Sequence, residues 1–254
     1  MPDALTIPAE LLPVDGRFGS GPTKVRPEQV EAIVAANPSV LGTSHRQAPV
    51  KNLVKDVRTM LAELYALPDG YEVLLGNGGA TFVWDAAAFG LVRERAQHCV
   101  FGEFSSKFAK ATSAPHLSKP EVLETAPGTL VAPRTQEGID VYAWPHNETS
   151  TGVSAPVARP AGSGDALVAV DGTSAAGGIG LDVTQTDLYY FAPQKSFAAD
   201  GGLWFALASP AAVERIGEIA GSGRYIPESL SLAVALENSR ADQTLNTPAI
   251  ATLL

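Results

Sequence analysis

Three groups of residues in this chain have the types and positions to do chemistry on a carbonyl compound. Gly76-Asn77-Gly78-Gly79-Ala80-Thr81 follows a short apolar run, Tyr71–Leu75, and leads into a helical stretch. Small residues let backbone N–H groups approach a phosphate, and the first turn of a helix adds favourable positive partial charge. The glycine spacing is neither that of a Walker loop nor that of a dinucleotide fingerprint. A phosphate cup and a plain turn are both open readings. Asp171 closes the run Leu167-Val168-Ala169-Val170. An unpaired carboxylate at the end of a buried strand is costly, so Asp171 is either a cap on the following loop or a partner for a protonated ring nitrogen. Lys195 stands in Pro193-Gln194-Lys195-Ser196, after the apolar run 188–192. It is either an exposed loop lysine or a desolvated one, whose lowered pKa suits it to form a Schiff base with a carbonyl.

Ligands of open α/β sheets bind at the carboxyl ends of the strands, and all three groups follow predicted strands. Together they supply an amine for an aldehyde, a carboxylate for a pyridine nitrogen and a cup for a phosphate. Those are the requirements of a pyridoxal 5'-phosphate site.

The elements that must position them are legible in the periodicity. Residues 1–22 read as an irregular arm, broken by Pro2, Pro8, Pro13, Gly16, Gly19, Gly21 and Pro22. A helix follows Pro27, with Val30, Ile33 and Val34 on one face and Pro38 beyond its end. A second helix covers 49–66, where Val50, Leu53, Val54, Val57, Leu61 and Leu64 recur at three- and four-residue steps, and Pro68-Asp69-Gly70 stops it. Strands are expected at 71–75, 98–101, 139–144, 166–170, 188–192 and 203–208, with helices at 81–92, at 104–113 and from Pro210. Continuously apolar strands alternating with helices predict an α/β fold, a mainly parallel sheet covered on both faces. The hairpin-like pair around Lys195 predicts that one strand runs antiparallel. The last residues, Asn246 to Leu254, read as a helix just under way.

Composition narrows the function classes. Of 254 residues, 45% are hydrophobic and 18% charged, with a net charge of −9. That balance argues for a packed core and against a nucleic-acid surface. Cys99 is the single cysteine, so neither an internal disulfide nor a Cys-based zinc site is expected, and no metal is assigned. No apolar stretch reaches the roughly 20 residues of a membrane helix. The first residues lack the basic start and apolar core of a signal peptide, and a cytoplasmic location with no membrane partner is the expectation. His98 and His116 show no metal-ligand spacing and read as structural or exposed, Trp84 and Trp204 as core. Asn147-Glu148-Thr149 matches a glycosylation sequon by coincidence.

Gly42-Thr43-Ser44-His45-Arg46, Gly76–Thr81, His146-Asn147-Glu148-Thr149, Ala192-Pro193-Gln194-Lys195 and Asn246-Thr247-Pro248 stand in the order found in the phosphoserine aminotransferases. From about Gly16 to its last residue the chain resembles this class-V, pyridoxal-phosphate-dependent family, in its actinobacterial variant. The resemblance implies the large domain of fold type I over 23–254, with a seven-stranded sheet. The implied reaction is reversible amino transfer between L-glutamate and 3-phosphohydroxypyruvate, giving O-phospho-L-serine and 2-oxoglutarate in serine biosynthesis. Phosphohydroxythreonine, in pyridoxine biosynthesis, is a further substrate the family would allow.

Carried over residue by residue, the resemblance makes Lys195 the lysine that holds the cofactor and shuttles the proton, and Asp171 the partner of the pyridine nitrogen. Phe104 takes the place of an aromatic ring stacked on the pyridine, where many members have Trp. Thr149 would hydrogen-bond near the phenolic oxygen, and Ala80, Thr81 and Gln194 would contact the phosphate. Asn246 and Thr247 match residues donated across a homodimer with shared active sites. His45 and Arg46, by themselves a surface loop pair, match residues that meet the substrate's anionic groups; Arg binds such groups bidentately. Family members continue into a smaller C-terminal domain that supplies a further arginine, and its absence from this sequence implies a nearly complete cofactor site beside an incomplete substrate site. The alternatives are a catalytically impaired cofactor-binding fragment, or another fold-type-I member such as an alanine–glyoxylate aminotransferase. A cysteine desulfurase is disfavoured, because it needs a mobile cysteine and Cys99 falls in a predicted strand.

Overall fold

A computed structural model describes residues 6–14, 16 and 19–254. Met1 to Leu5, Asp15, Arg17 and Phe18, all parts of the expected arm, lie outside the described residues. Helices α1 (Pro27–Ala35) and α2 (Ala48–Leu64) precede strand β1 (Glu72–Asn77). There follow α3 (Thr81–Gly90), β2 (Ala96–Val100), α4 (Glu103–Ala111), β3 (Glu121–Glu124), β4 (Val141–Pro145) and a two-stranded hairpin of β5 (Asn147–Glu148) with β6 (Val153–Ser154). The chain continues through β7 (Leu167–Asp171), β8 (Leu188–Phe191), β9 (Leu203–Ala208), α5 (Pro210–Ala220), α6 (Leu232–Arg240) and α7 (Ile250–Leu253).

Seven strands form one sheet in the order β1-β9-β8-β7-β4-β2-β3. Strand β9 runs antiparallel to both neighbours, with Glu72 opposite Ala208 on one side and Phe191 opposite Phe205 on the other. Every other pairing is parallel. The mainly parallel α/β sheet with one antiparallel strand is therefore present as expected.

Strict alternation along the central strands makes them apolar throughout. Leu74, Val141, Ala143, Leu167, Ala169, Leu188 and Tyr190 point to a core shared with α3, α5 and α6 through Val83, Trp84, Ile216 and Leu236. Their neighbours Val73, Leu75, Tyr142, Trp144, Val168, Val170, Tyr189 and Phe191 point to a second core with Val54 and Leu61 of α2 and Leu253 of α7. Each side chain removed from water contributes about 1.5–3 kcal/mol, so a strand buried on both faces has no room for polar alternation.

Four elements went unread in the sequence, the short strands β5 and β6 together with β3 and α6. Strand β3, Glu121-Val122-Leu123-Glu124, buries only Leu123; it is the sheet's outermost strand, where flanking charges discourage pairing with other chains. Helix α6 is preceded by Ser231, whose side chain accepts from Val234 N and caps it. No helix among the described residues is long and apolar enough to cross a membrane.

Candidate active site

The parallel strands bring their carboxyl ends to one edge of the sheet, and a cavity of about 270 Å³ opens there. Its walls are Gly79, Ala80, Thr81, Trp84, Phe104, Pro145, Asn147, Thr149, Asp171, Thr173, Gln194 and Lys195. Seven of the residues singled out from sequence, Ala80, Thr81, Phe104, Thr149, Asp171, Gln194 and Lys195, thus converge from five separate segments.

Each wall has a local cause. The glycine segment leaves β1 at Asn77, and α3 starts at Thr81 with no side chain capping it; Phe82 N and Val83 N donate to Gly79 O and Ala80 O at 3.0 Å, which leaves the Thr81 N–H ahead of them for an anion. Asp171 is the last residue of β7 rather than the first of the loop, and it is buried. Its Oδ1 accepts from Thr173 N at 2.9 Å and its Oδ2 from Trp84 Nε1 at 3.4 Å. The local loop contact expected of a cap is therefore present, together with a long-range one. Burial raises the Asp171 pKa, opposed by the bonds from Thr173 and Trp84; a cation placed against it would lower it again.

Lys195 is half-buried beyond β8, and desolvation lowers its pKa. That favours the free amine, the nucleophilic form. Its Nζ donates to the carbonyl of Ser20 at 2.5 Å, while Thr23 N donates to Gln194 O at 2.7 Å. The described end of the arm therefore lies along the lysine, which the sequence did not indicate. Gly21 permits this closeness: at φ +120°, a Cβ there would fall 2.6 Å from Lys195 Cδ and 2.7 Å from Nζ. Replacing Gly21 with alanine is expected to cost about 1–3 kcal/mol of backbone strain and to lift the arm. Mass-spectrometric labelling with an amine reagent should then modify Lys195 severalfold faster than in the parent protein. Equal rates would mean the arm does not shield it.

Two polar atoms of the wall are left over. The Thr173 hydroxyl approaches Asp171 without reaching full hydrogen-bond geometry, and Gln194 Oε1 likewise has no partner, although both atoms are buried. Buried polar groups are rarely left unpaired, so both fit a polar ligand. With the aromatic walls of Phe104 and Trp84, the buried carboxylate, the amine and the uncapped helix, the donor set suits a flat cationic ring bearing an aldehyde and a phosphate.

Four expected residues do not reach this cavity. His45 is buried, with its Nδ1 3.3 Å from Thr247 Oγ1, and its pKa is lowered by burial and by Arg46. Arg46, Asn246 and Thr247 are exposed. The Asn77 side chain ties the last two to the end of β1, donating to Thr247 O at 3.0 Å and accepting from Asn246 N at 3.1 Å. His45, Asn246 and Thr247 thus meet near the end of β1, outside the cavity.

The sequence reading missed other parts of the wall. Trp84 is core, as expected, but its indole also reaches Asp171; its place one turn after the glycine loop was the available signal. Asn147 stood in a quoted motif, and Thr173 two residues after Asp171, without either being given a role in the site. Asn147 Nδ2 donates to Ser174 Oγ at 2.8 Å, which fixes the start of the β5–β6 hairpin. Glu148 is fully buried. Burial alone would raise its pKa, yet hydrogen bonds from Ser105 and Ser150 hold it below the usual carboxylate range.

The remaining candidates are structural. Burial pushes His98 down to about 3, and its Nε2 lies 2.8 Å from Thr112 Oγ1. His116 Nε2 meets Ala88 O at 3.0 Å. Burial pushes the Cys99 thiol up to about 12, which leaves no mobile, reactive thiolate for desulfurase chemistry.

The sequence model for aminotransferases of class V matches residues 18–253. A phosphoserine aminotransferase of Nocardioides sp. is 59% identical over 256 residues, taking in 100% of this chain and 68% of that protein. Among solved structures, a phosphoserine aminotransferase from Cytophaga hutchinsonii has a TM-score of 0.84 at 26% identity, covering 93% of this chain and 67% of that one. A PLP-bound phosphoserine aminotransferase from Trichomonas vaginalis reaches a TM-score of 0.75 at 18% identity, with 93% and 67% covered, and shares the fold. The chain spans 67–68% of the length of these relatives.

Proposed function

Because the chain belongs to the class-V aminotransferases, we propose that it catalyses reversible amino transfer between L-glutamate and 3-phosphohydroxypyruvate, giving O-phospho-L-serine and 2-oxoglutarate. It is a pyridoxal-phosphate-dependent transaminase in this reading, with 23–254 as its cofactor-binding domain and 1–22 as an arm. The observation that carries the reading is the meeting of Lys195, Asp171 and the Gly79–Thr81 segment around one cavity. The relatives that bear the name phosphoserine aminotransferase support phosphoserine as one of its substrates.

When bound, pyridoxal phosphate supplies an aldehyde for amines and an electron sink for the carbon that loses its proton. The protein's residues do the rest. Lys195 would hold the cofactor's aldehyde and move a proton at the substrate's α-carbon. Asp171 would pair with the ring nitrogen. Phe104 and Thr149 would hold the ring between α4 and the β5–β6 hairpin. The start of α3, at Ala80 and Thr81, with Gln194, takes the phosphate. Asn246 and Thr247 complete the phosphate site of a second copy in a homodimer, and His45 and Arg46 meet the substrate's anionic groups.

An absorption spectrum tests the proposal. Protein supplied with pyridoxal phosphate is expected to show a visible band that phosphoserine or glutamate converts to an ultraviolet one, while alanine does not. A band that ignores both amino acids would sink the substrate assignment. Absence of any band would sink the cofactor assignment as well.

A further inference from the structure

We propose that Glu148 is a positioning residue for the cofactor ring, acting as a buried clamp that fixes Phe104 and Thr149 relative to one another. The proposal rests on the reading of the cavity as the pyridoxal-phosphate site.

Phe104 and Thr149 come from different elements, the first turn of α4 and the tip of the β5–β6 hairpin. Both line the cavity. Glu148 stands between those elements with no exposure to solvent. Its Oε1 accepts from Phe104 N at 3.3 Å, from Ser150 N at 3.2 Å and from Ser150 Oγ at 2.7 Å. Its Oε2 accepts from Ser105 N at 2.9 Å and Ser105 Oγ at 2.8 Å. Ser150 extends the clamp, because its Oγ also accepts from Glu103 N at 2.9 Å. The first three N–H groups of α4, which no helix can satisfy internally, are therefore all taken by two residues of the hairpin. Thr149 sits between those two residues, and Phe104 is the middle one of the three amides.

The chemistry explains why a carboxylate stands there. Five donors converge on two oxygens, and only an ionised carboxyl offers acceptors alone. Charge-assisted bonds of this kind are roughly twice as strong as neutral ones, and the helix start adds positive potential. The fit is close: a Cβ at Gly102 would lie 2.3 Å from Glu148 Cγ and 2.5 Å from Ser150 Oγ. With both its oxygens taken as acceptors and no face on the cavity, Glu148 serves the site only through what it holds.

Glu148→Gln keeps the shape but turns one acceptor into a donor facing N–H groups. It is expected to weaken pyridoxal phosphate binding roughly tenfold, since losing a charge-assisted bond inside the protein is worth about a factor of ten or more. The circular dichroism induced in the bound cofactor's visible band should shrink, because the ring is no longer held in one orientation. Hydrogen exchange at the Phe104 and Ser105 amides, read by mass spectrometry on protein without cofactor, should speed up. Parental affinity, dichroism and exchange in Glu148→Gln would overturn the proposal. Slower melting recovery with unchanged dichroism and affinity would also overturn it, since that is what a merely structural residue would give. If Glu148→Gln does not fold, Ser150→Ala removes one arm of the clamp, and unchanged dichroism and amide exchange there would overturn it equally. Should the parent protein fail to bind pyridoxal phosphate, the cofactor reading falls, and the exchange rates alone judge the clamp.

Discussion

Lys195→Ala is expected to lower amino transfer by roughly 10⁴-fold or more, because it removes both the covalent anchor and the proton carrier of the reaction. No other side chain of the cavity carries an amine, so nothing nearby can take over. The lysine is prepared for the role by its setting, half-buried at the end of β8, where desolvation lowers its pKa and favours the nucleophilic amine. Borohydride reduction of the loaded protein should fix the cofactor's mass on the peptide containing Lys195, and the variant should take up none. This second readout does not depend on turnover. Residual transfer above a trace, or cofactor mass fixed on another lysine, would refute the assignment.

Asp171→Asn separates the two roles that the sequence left open. The amide oxygen can still accept from Thr173 N, now at 2.9 Å from Asp171 Oδ1, so the local turn should survive. What disappears is the charge, and the amide nitrogen would face Trp84 Nε1, which donates to Oδ2 in the parent. The variant is therefore expected to fold and to hold the cofactor by its phosphate. Its single-turnover rate with phosphoserine should fall on the order of 10²–10³-fold, the scale of losing one preorganised electrostatic contact at the reacting group. An unchanged rate would mean that Asp171 only caps its loop.

The legible part of this molecule was the part governed by local periodicity. Strand β9 falls at the expected 203–208, and the other five expected strands lie within two residues of their observed ends. Burial on both faces leaves a run of apolar residues that can be read without knowing its neighbours. Strand β3 lacks that signal, because this edge strand is half in solvent and has only Val122 and Leu123 between two charged residues. The antiparallel turn at Lys195 was legible from the short loop between two apolar runs. That β9 is inserted between β8 and β1 was not, since the β1–β9 pairing joins residues far apart in the chain.

The same division runs through the site. By itself the sequence determined which residues could act: the strand-end lysine and aspartate, the glycine segment, and the motifs shared with one enzyme family. Those are statements about residue type and local order, which the chain carries in every conformation. Only the tertiary structure decided that Ser20 and Gly21 lie against Lys195, that Trp84 reaches Asp171, that Asn77 holds Asn246 and Thr247, and that Glu148 is buried with five donors upon it. Each of these depends on groups from distant segments meeting within hydrogen-bond distance. A carboxylate in a hairpin reads as solvated until the helix that surrounds it is in place.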